Sequence, residues 1–184
     1  MTSLGLPVPP GFTITTDTCR AYLSSGSVPE TLAVEVTTAI RGVEEKMGKT
    51  LGDAADPLLV SVRSGAKFSM PGMMETVLNI GLNDQSVQGL AQQAGNDRFA
   101  WDSYRRLIQM FGKTVMDIDG DLFADELHGL QERKGYKGDL DMTTEDLKEL
   151  VDTYKEIVKR EKGIDFPQDP RAQLDMAVEA VFRS

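Results

Sequence analysis

The sequence predicts an α+β fold in two parts: residues 1–83 mix short strands with helices, and residues 84–184 are wholly helical. Three observations predict it. Residues 58–62, LLVSV, form a short run rich in Leu and Val, the composition of a buried strand, and residues 76–80, TVLNI, form a second β-like run. After Asp84 the apolar residues recur at helical spacing instead: Trp101, Tyr104, Ile108, Phe111 and Val115 make one stripe, and Leu147, Leu150, Val151, Tyr154, Ile157 and Val158 make another. Glycines placed just past those stripes, such as Gly163, are helix stops.

Taken in order, Pro7, Pro9, Pro10 and Gly11 make a stiff entry turn, and Phe12-Thr13-Ile14-Thr15 alternates like a strand. Thr16, Asp17 or Thr18 caps a short helix through about Leu23. Pro29 suits the first position of the next helix, where a missing N–H costs nothing. Leu32, Val36, Ile40, Val43 and Met47 form its apolar face, with Met47 expected in the core, and Gly48 ends it. Beyond the central stretch, Asn83 or Asp84 caps a helix through Gln93, and Gly95 breaks it. Asn96 or Asp97 caps the longer helix that carries the only Trp, which is expected to anchor the helical part's core. A mixed helix follows over residues 122–133, then the turn Lys134-Gly135-Tyr136-Lys137-Gly138. Residues 144–162 give the clearest helix, with Glu145 and Asp146 in its first turn and Lys159, Arg160 and Lys162 complementing the dipole in its last. Phe166-Pro167 and Asp169-Pro170 form a connector, and residues 171–182 read as a final helix.

At 184 residues the chain is long enough for one good core or two small lobes sharing one. A hydrophobic content of 40% and a charged content of 27% are ordinary for a globular protein. A formal net charge of −9 argues against a nucleic-acid partner or an anionic membrane surface. No apolar run approaches the ~20 residues of a membrane span. The start lacks the basic region and apolar core of a signal peptide, and the single Cys19 excludes an intramolecular disulfide. A cytoplasmic location is the simplest expectation.

The stretch with chemistry in it is residues 58–84. Arg63 stands where the first strand gives way to Ser64-Gly65-Ala66. A guanidinium fork is always charged, and glycine lets backbone N–H groups approach an anion, so the pattern suits phosphate. On spacing alone a structural arginine paired with a neighbouring carboxylate looks the same. Lys67 fits either phosphate contact or open solvent, and Met70, Met73 and Met74 fit either a padding for a mobile loop or ordinary core. Other motifs fail. Gly112-Lys113-Thr114 imitates the end of a P-loop, but the position five residues before Gly112 is Leu107, inside a helix. Asp117, Asp119 and Asp121 hint at a calcium loop, but the glycine falls at Gly120 and the twelfth position is His128. They read as a solvated helix entrance, the lone His128 as a surface residue, and Cys19 as structural.

Four blocks carry a resemblance. SVRSGAKFSMPGMMETVLNIGLND (61–84) closely resembles the nucleotide-binding domain of pyruvate phosphate dikinase; LGLPVPPGFTITT (4–16), GNDRFAWDSYRRLIQMFGKTVMDID (95–119) and FPQDPRAQLDMAVEAVFRS (166–184) resemble its other blocks in the same order. The resemblance covers essentially the whole chain. It implies an incomplete ATP-grasp-type α/β lobe carrying the Arg63 loop, followed by a helical subdomain with a connector helix. The family interconverts ATP, phosphate and pyruvate with AMP, pyrophosphate and phosphoenolpyruvate. Its nucleotide-binding domain phosphorylates a histidine on a swivelling domain, the implied partner, which carries the phosphoryl group to a remote pyruvate site.

Carried over residue by residue, Arg63 matches the arginine that contacts the ATP phosphates. Gly72, with Ser69, Met70 and Met73, matches the glycine loop that closes over them, and Ser64, Gly65 and Lys67 complete the expected contact set. Glu75 stands where the family usually has Asp. No catalytic residue and no metal ligand is expected in the chain, and His128 matches no phospho-carrier. ATP with Mg2+ is the implied ligand of the intact enzyme. The family's phosphate-contacting lysine, adenine-holding strands, metal carboxylates, phosphohistidine and pyruvate barrel are expected outside this stretch. The chain is therefore expected to be a truncated piece of the domain, inactive alone, binding no nucleotide tightly, and able to self-associate through a bare sheet edge. Two alternatives stay open: a non-catalytic interaction module derived from this domain, and a phosphoenolpyruvate synthase-like dikinase. The SMPGMM and LNIGLND segments favour the pyruvate phosphate dikinase branch over the latter.

Overall fold

A computed structural model describes residues 4–65 and 74–184. Over these residues the chain is mostly helical with two small two-stranded ribbons, an α+β arrangement. The entry segment is not a strand: Phe12 to Thr15 finds no neighbouring strand to pair with, and Phe12 stays exposed. Helix α1 (Thr16–Ser25) starts behind Thr15 without a side-chain cap, and Gly26 ends it in the left-handed region. Helix α2 (Glu30–Met47) follows Pro29 and buries Leu32, Val36, Ile40 and Val43. Met47 does not join them. It is the last residue of the helix, beyond the cover that the rest of the stripe receives, and is 43% exposed.

The run at 58–62 does not make one strand. Strand β1 (Thr50–Leu51) pairs in parallel with β2 (Pro57–Leu58), whereas β3 (Val60–Val62) pairs antiparallel with β4 (Val77–Ile80). The Leu58 carbonyl accepts the Gly52 N–H at 3.2 Å, committing that end of the run to β1, while Val60 turns to face Ile80. The ribbons meet where backbones nearly touch. A Cβ on Gly81 would lie 2.9 Å from the Leu58 carbonyl, and one on Gly52 would lie 2.1 Å from the Pro170 ring, so no larger residue fits either place.

The helices then wrap this seam. Asn83 accepts the N–H groups of Gln85 and Ser86 at 2.9 and 2.8 Å and so starts α3 (Ser86–Ala94). Asn96 accepts the Phe99 N–H and starts α4 (Asp97–Thr114), the central helix, whose buried face includes Ala100, Tyr104, Leu107, Ile108 and Phe111. α4 packs on α3, β4 and α6 (Thr144–Lys162). Tyr104 and Phe111 meet Phe166 edge-on, with ring centroids 6.2 and 5.5 Å apart. Trp101 is not at that centre. It is one turn nearer the helix start, half-buried, with the Lys148 ammonium over its ring.

Helix α5 (Gly120–Lys134) begins two residues earlier than its apolar pattern implies, because Asp119 accepts the Asp121 N–H as its cap. The turn after it, with a short 3-10 segment at Asp139–Asp141, is clipped to α4 by arginines. Buried Arg105 donates to Asp102 and Gln109, and Asp139 accepts from both Arg105 and Arg106 at 3.3 Å. Burial works against the Asp102 carboxylate, but the two guanidinium groups outweigh it and hold its pKa below the usual range. α6 starts in a capping box in which Thr143 and Asp146 each bond the other's backbone N–H. Helix α7 (Pro170–Arg183) returns to pack on β3, β4 and α1. One hydrophobic cluster takes residues from α2, β4 and every helix from α3 to α7.

Candidate functional site

The β3–β4 ribbon carries Arg63 at the end where β3 stops. Val62 faces Val77 as the last ladder pair, and Arg63, Ser64 and Gly65 then leave the ribbon. Two residues past Val62, the Ser64 hydroxyl donates to the Met74 carbonyl at 3.1 Å, joining the two stems. Met74 itself is buried, as are Val77 and Ile80, so the returning stem is anchored in the core. Arg63 lies outside that anchor: it is exposed and engaged by no carboxylate among the described residues. Structurally, then, Arg63, Ser64 and Gly65 come together at that end of the ribbon. Lys67, Ser69, Met70, Gly72 and Met73 lie outside the described residues.

Behind the stems is the end of α4. Lys113 donates to Glu75 at 3.1 Å. The Gly112-Lys113-Thr114 trio thus has structural employment: the Phe123 ring occupies the space a Cβ on Gly112 would need, Lys113 holds Glu75, and Thr114 closes the helix. On the other side of β4, Asp84 accepts the Tyr104 hydroxyl at 2.9 Å and is held by the Lys155 ammonium, while Gln168 donates to Tyr104 at 3.1 Å. Burial, with the nearby Asp84 charge, pushes the Tyr104 hydroxyl pKa well up, so it stays a donor at any ordinary pH. The turn after β4 is therefore tied to α4, α6 and the connector before α7, at the end of the ribbon away from Arg63.

The remaining candidates fall away from this edge. Asp117 takes a left-handed turn conformation and Asp119 caps α5, and no group of three or more His, Cys, Asp or Glu able to hold a metal ion occurs among the described residues. His128 is exposed on α5, and Cys19 is half-buried with its sulfur 4.0 Å from the Phe182 carbonyl. No described helix is long and apolar enough to cross a membrane. The Glu75–Lys113 pair is invisible to spacing, because its members lie 38 residues apart and neither sits in a recognisable pattern. The same is true of Gln173, whose buried amide seals the end of β4.

A family model described as pyruvate phosphate dikinase, AMP/ATP-binding domain, matches residues 24–184. The chain is 54% identical over 185 residues to pyruvate, phosphate dikinase 1, chloroplastic, of Zea mays, an alignment covering all of this chain and 19% of that protein. It is 52% identical to pyruvate, phosphate dikinase of Giardia intestinalis and 50% identical to that of Clostridium symbiosum, in each case over 100% of this chain and 21% of the relative. The chain thus spans about one fifth of the length of the curated relatives it matches. On the strength of these matches, this chain belongs to the pyruvate phosphate dikinase AMP/ATP-binding domain family.

Proposed function

We propose that the chain supplies the phosphate side of an ATP-grasp-type nucleotide site, serving a dikinase that converts ATP, phosphate and pyruvate to AMP, pyrophosphate and phosphoenolpyruvate. The observation that carries this reading is Arg63, an exposed guanidinium at a strand end, beside Ser64 and Gly65 and with no carboxylate of its own among the described residues. Phosphoryl transfer needs fixed cations and backbone donors around the oxygens of the moving group, more than it needs covalent help from the protein. Arg63 supplies the cation, and the Ser64–Gly65 backbone supplies N–H groups within the same turn. Lys67, Ser69, Met70, Gly72 and Met73 belong to the same proposed set through the family resemblance. Mg2+ enters this reading with the nucleotide, as the ion of the intact enzyme that the family resemblance implies. The acceptor is a histidine on a swivelling partner domain; His128, exposed on α5 and far along the chain from the Arg63 edge, has no part in it.

Amide chemical shifts of the chain, followed while MgATP is added, test the location. Changes confined to residues 61–77, and lost in Arg63→Gln, are expected. Changes elsewhere, or unaltered by Arg63→Gln, overturn the assignment.

A further inference from the structure

We propose that Lys113 is a positioning residue that keeps Arg63 available to phosphate by occupying Glu75; the inference rests on the phosphate-side reading of the Arg63 edge. The Ser64–Met74 hydrogen bond joins the stems at 3.1 Å, and Arg63 and Glu75 are each one residue from it in sequence. That bond holds the two stems together just past the last ladder pair, so the charges of an arginine and a glutamate flanking it act on one another. A carboxylate at that point has two ways to spoil an anion site: it repels the incoming phosphate, or it takes the arginine for itself. Lys113 counters both by holding Glu75 at 3.1 Å.

The lysine is itself held in place. It lies in the last turn of α4, where a cation complements the helix dipole. Its methylene stem runs over the start of α5, close enough that a Cβ on Gly120 would sit 3.3 Å from its Cδ. A side chain braced in this way loses less freedom on pairing than a free surface lysine. With both partners half or more exposed, at 51% and 66%, the pair adds little to stability and its effect is electrostatic. Glu75 is thus neutralised by a helix lysine, and no carboxylate among the described residues engages Arg63.

The test is a cycle of Lys113→Met, Glu75→Gln and the double variant, read in two ways. With no ligand present, amide exchange at residues 74–77 is expected to quicken equally in each single variant and no further in the double, because each removes the same link. In a MgATP titration followed by amide shifts, Lys113→Met is expected to weaken binding about two- to fivefold, the size of one exposed charge interaction. Glu75→Gln alone leaves affinity equal to or better than the parent, and adding it to Lys113→Met restores the loss. A double variant that stays weak shows that Lys113 touches phosphate directly and overturns the proposal, as does unchanged exchange in the single variants. If exchange behaves as expected but MgATP perturbs no amide near Arg63 in the parent, the phosphate-side reading fails while the Glu75–Lys113 link stands, and the role assigned to that link is overturned.

Discussion

Gln173 completes the end of β4 with its side chain: its carboxamide accepts the Gly81 N–H at 2.9 Å and donates to the Leu82 carbonyl at 2.8 Å. The same amide nitrogen also donates to the Pro167 carbonyl at 2.8 Å, and the residue is wholly buried. A side chain from α7 thus does what a neighbouring strand would do, tying the C-terminal helix to the ribbon that carries Arg63. Gln173→Leu keeps the volume but leaves a buried N–H and two carbonyls unpaired. At about 1–3 kcal/mol for each buried polar group left unsatisfied, a loss of about 3 kcal/mol or more is expected. Urea unfolding of the two proteins measures it, and a difference under about 1 kcal/mol would show that water replaces the amide without cost.

Asp146 makes the fold sensitive to acid. Burial alone would raise its pKa, but the Thr143 N–H and hydroxyl, the Tyr136 hydroxyl and the Lys134 ammonium all favour the charged form and hold it at about 2. The sign follows from a depressed folded-state value: the stabilisation is complete above the unfolded pKa of about 4 and disappears as pH falls through about 2. The carboxylate is covered by its partners yet lies near the surface, and solvent screening trims the contribution to about 1–2 kcal/mol. Asp146→Asn is expected to lose that amount at pH 7, with the gap to the parent closing between pH 4 and pH 2. A gap that stays constant down to pH 2 contradicts the assignment.

Packing around α4 separates two aromatic residues that look equivalent on the helical stripe. Phe111 is fully buried against Phe166, and Trp101 is half-buried at the margin. Phe111→Ala should cost about 3–5 kcal/mol, and Trp101→Ala less, about 2 kcal/mol, since part of the indole stays in water. Comparison of unfolding midpoints decides the matter; an equal or larger loss for Trp101→Ala would place the indole in the core.

What the sequence made legible was local. Helix α6 runs over Thr144–Lys162, the span that its capping residues, its Leu/Val/Tyr stripe and Gly163 define without any help from elsewhere. The position of Arg63 directly after a strand was legible for the same reason, since a short apolar run followed by Ser-Gly marks its own end. Met47 and Trp101 misled because a stripe shows which face is apolar, not how far along it the cover extends. The splitting of 58–62 between two ribbons depends on Gly52 and Ile80, partners that no local pattern names. Gln173 reads as a polar residue on a helix until Gly81 is placed beside it. Glu75 and Lys113 likewise gain their meaning only from the contact between them.

The proposed phosphate-side role of Arg63 also bears on how tightly the chain holds nucleotide. Arg63 and the adjacent N–H groups offer two or three contacts, each worth about 1.5–3 kcal/mol at best and less in open solvent. At least about 4 kcal/mol of that is offset by the loss of translational and loop freedom. Calorimetric titration of the 184-residue chain with MgATP, run beside a turnover assay on the same repurified sample, is the most direct test. Millimolar or weaker binding, abolished by Arg63→Gln, and no steady hydrolysis are expected. Micromolar binding, or ATP turnover that survives repurification, would contradict that expectation.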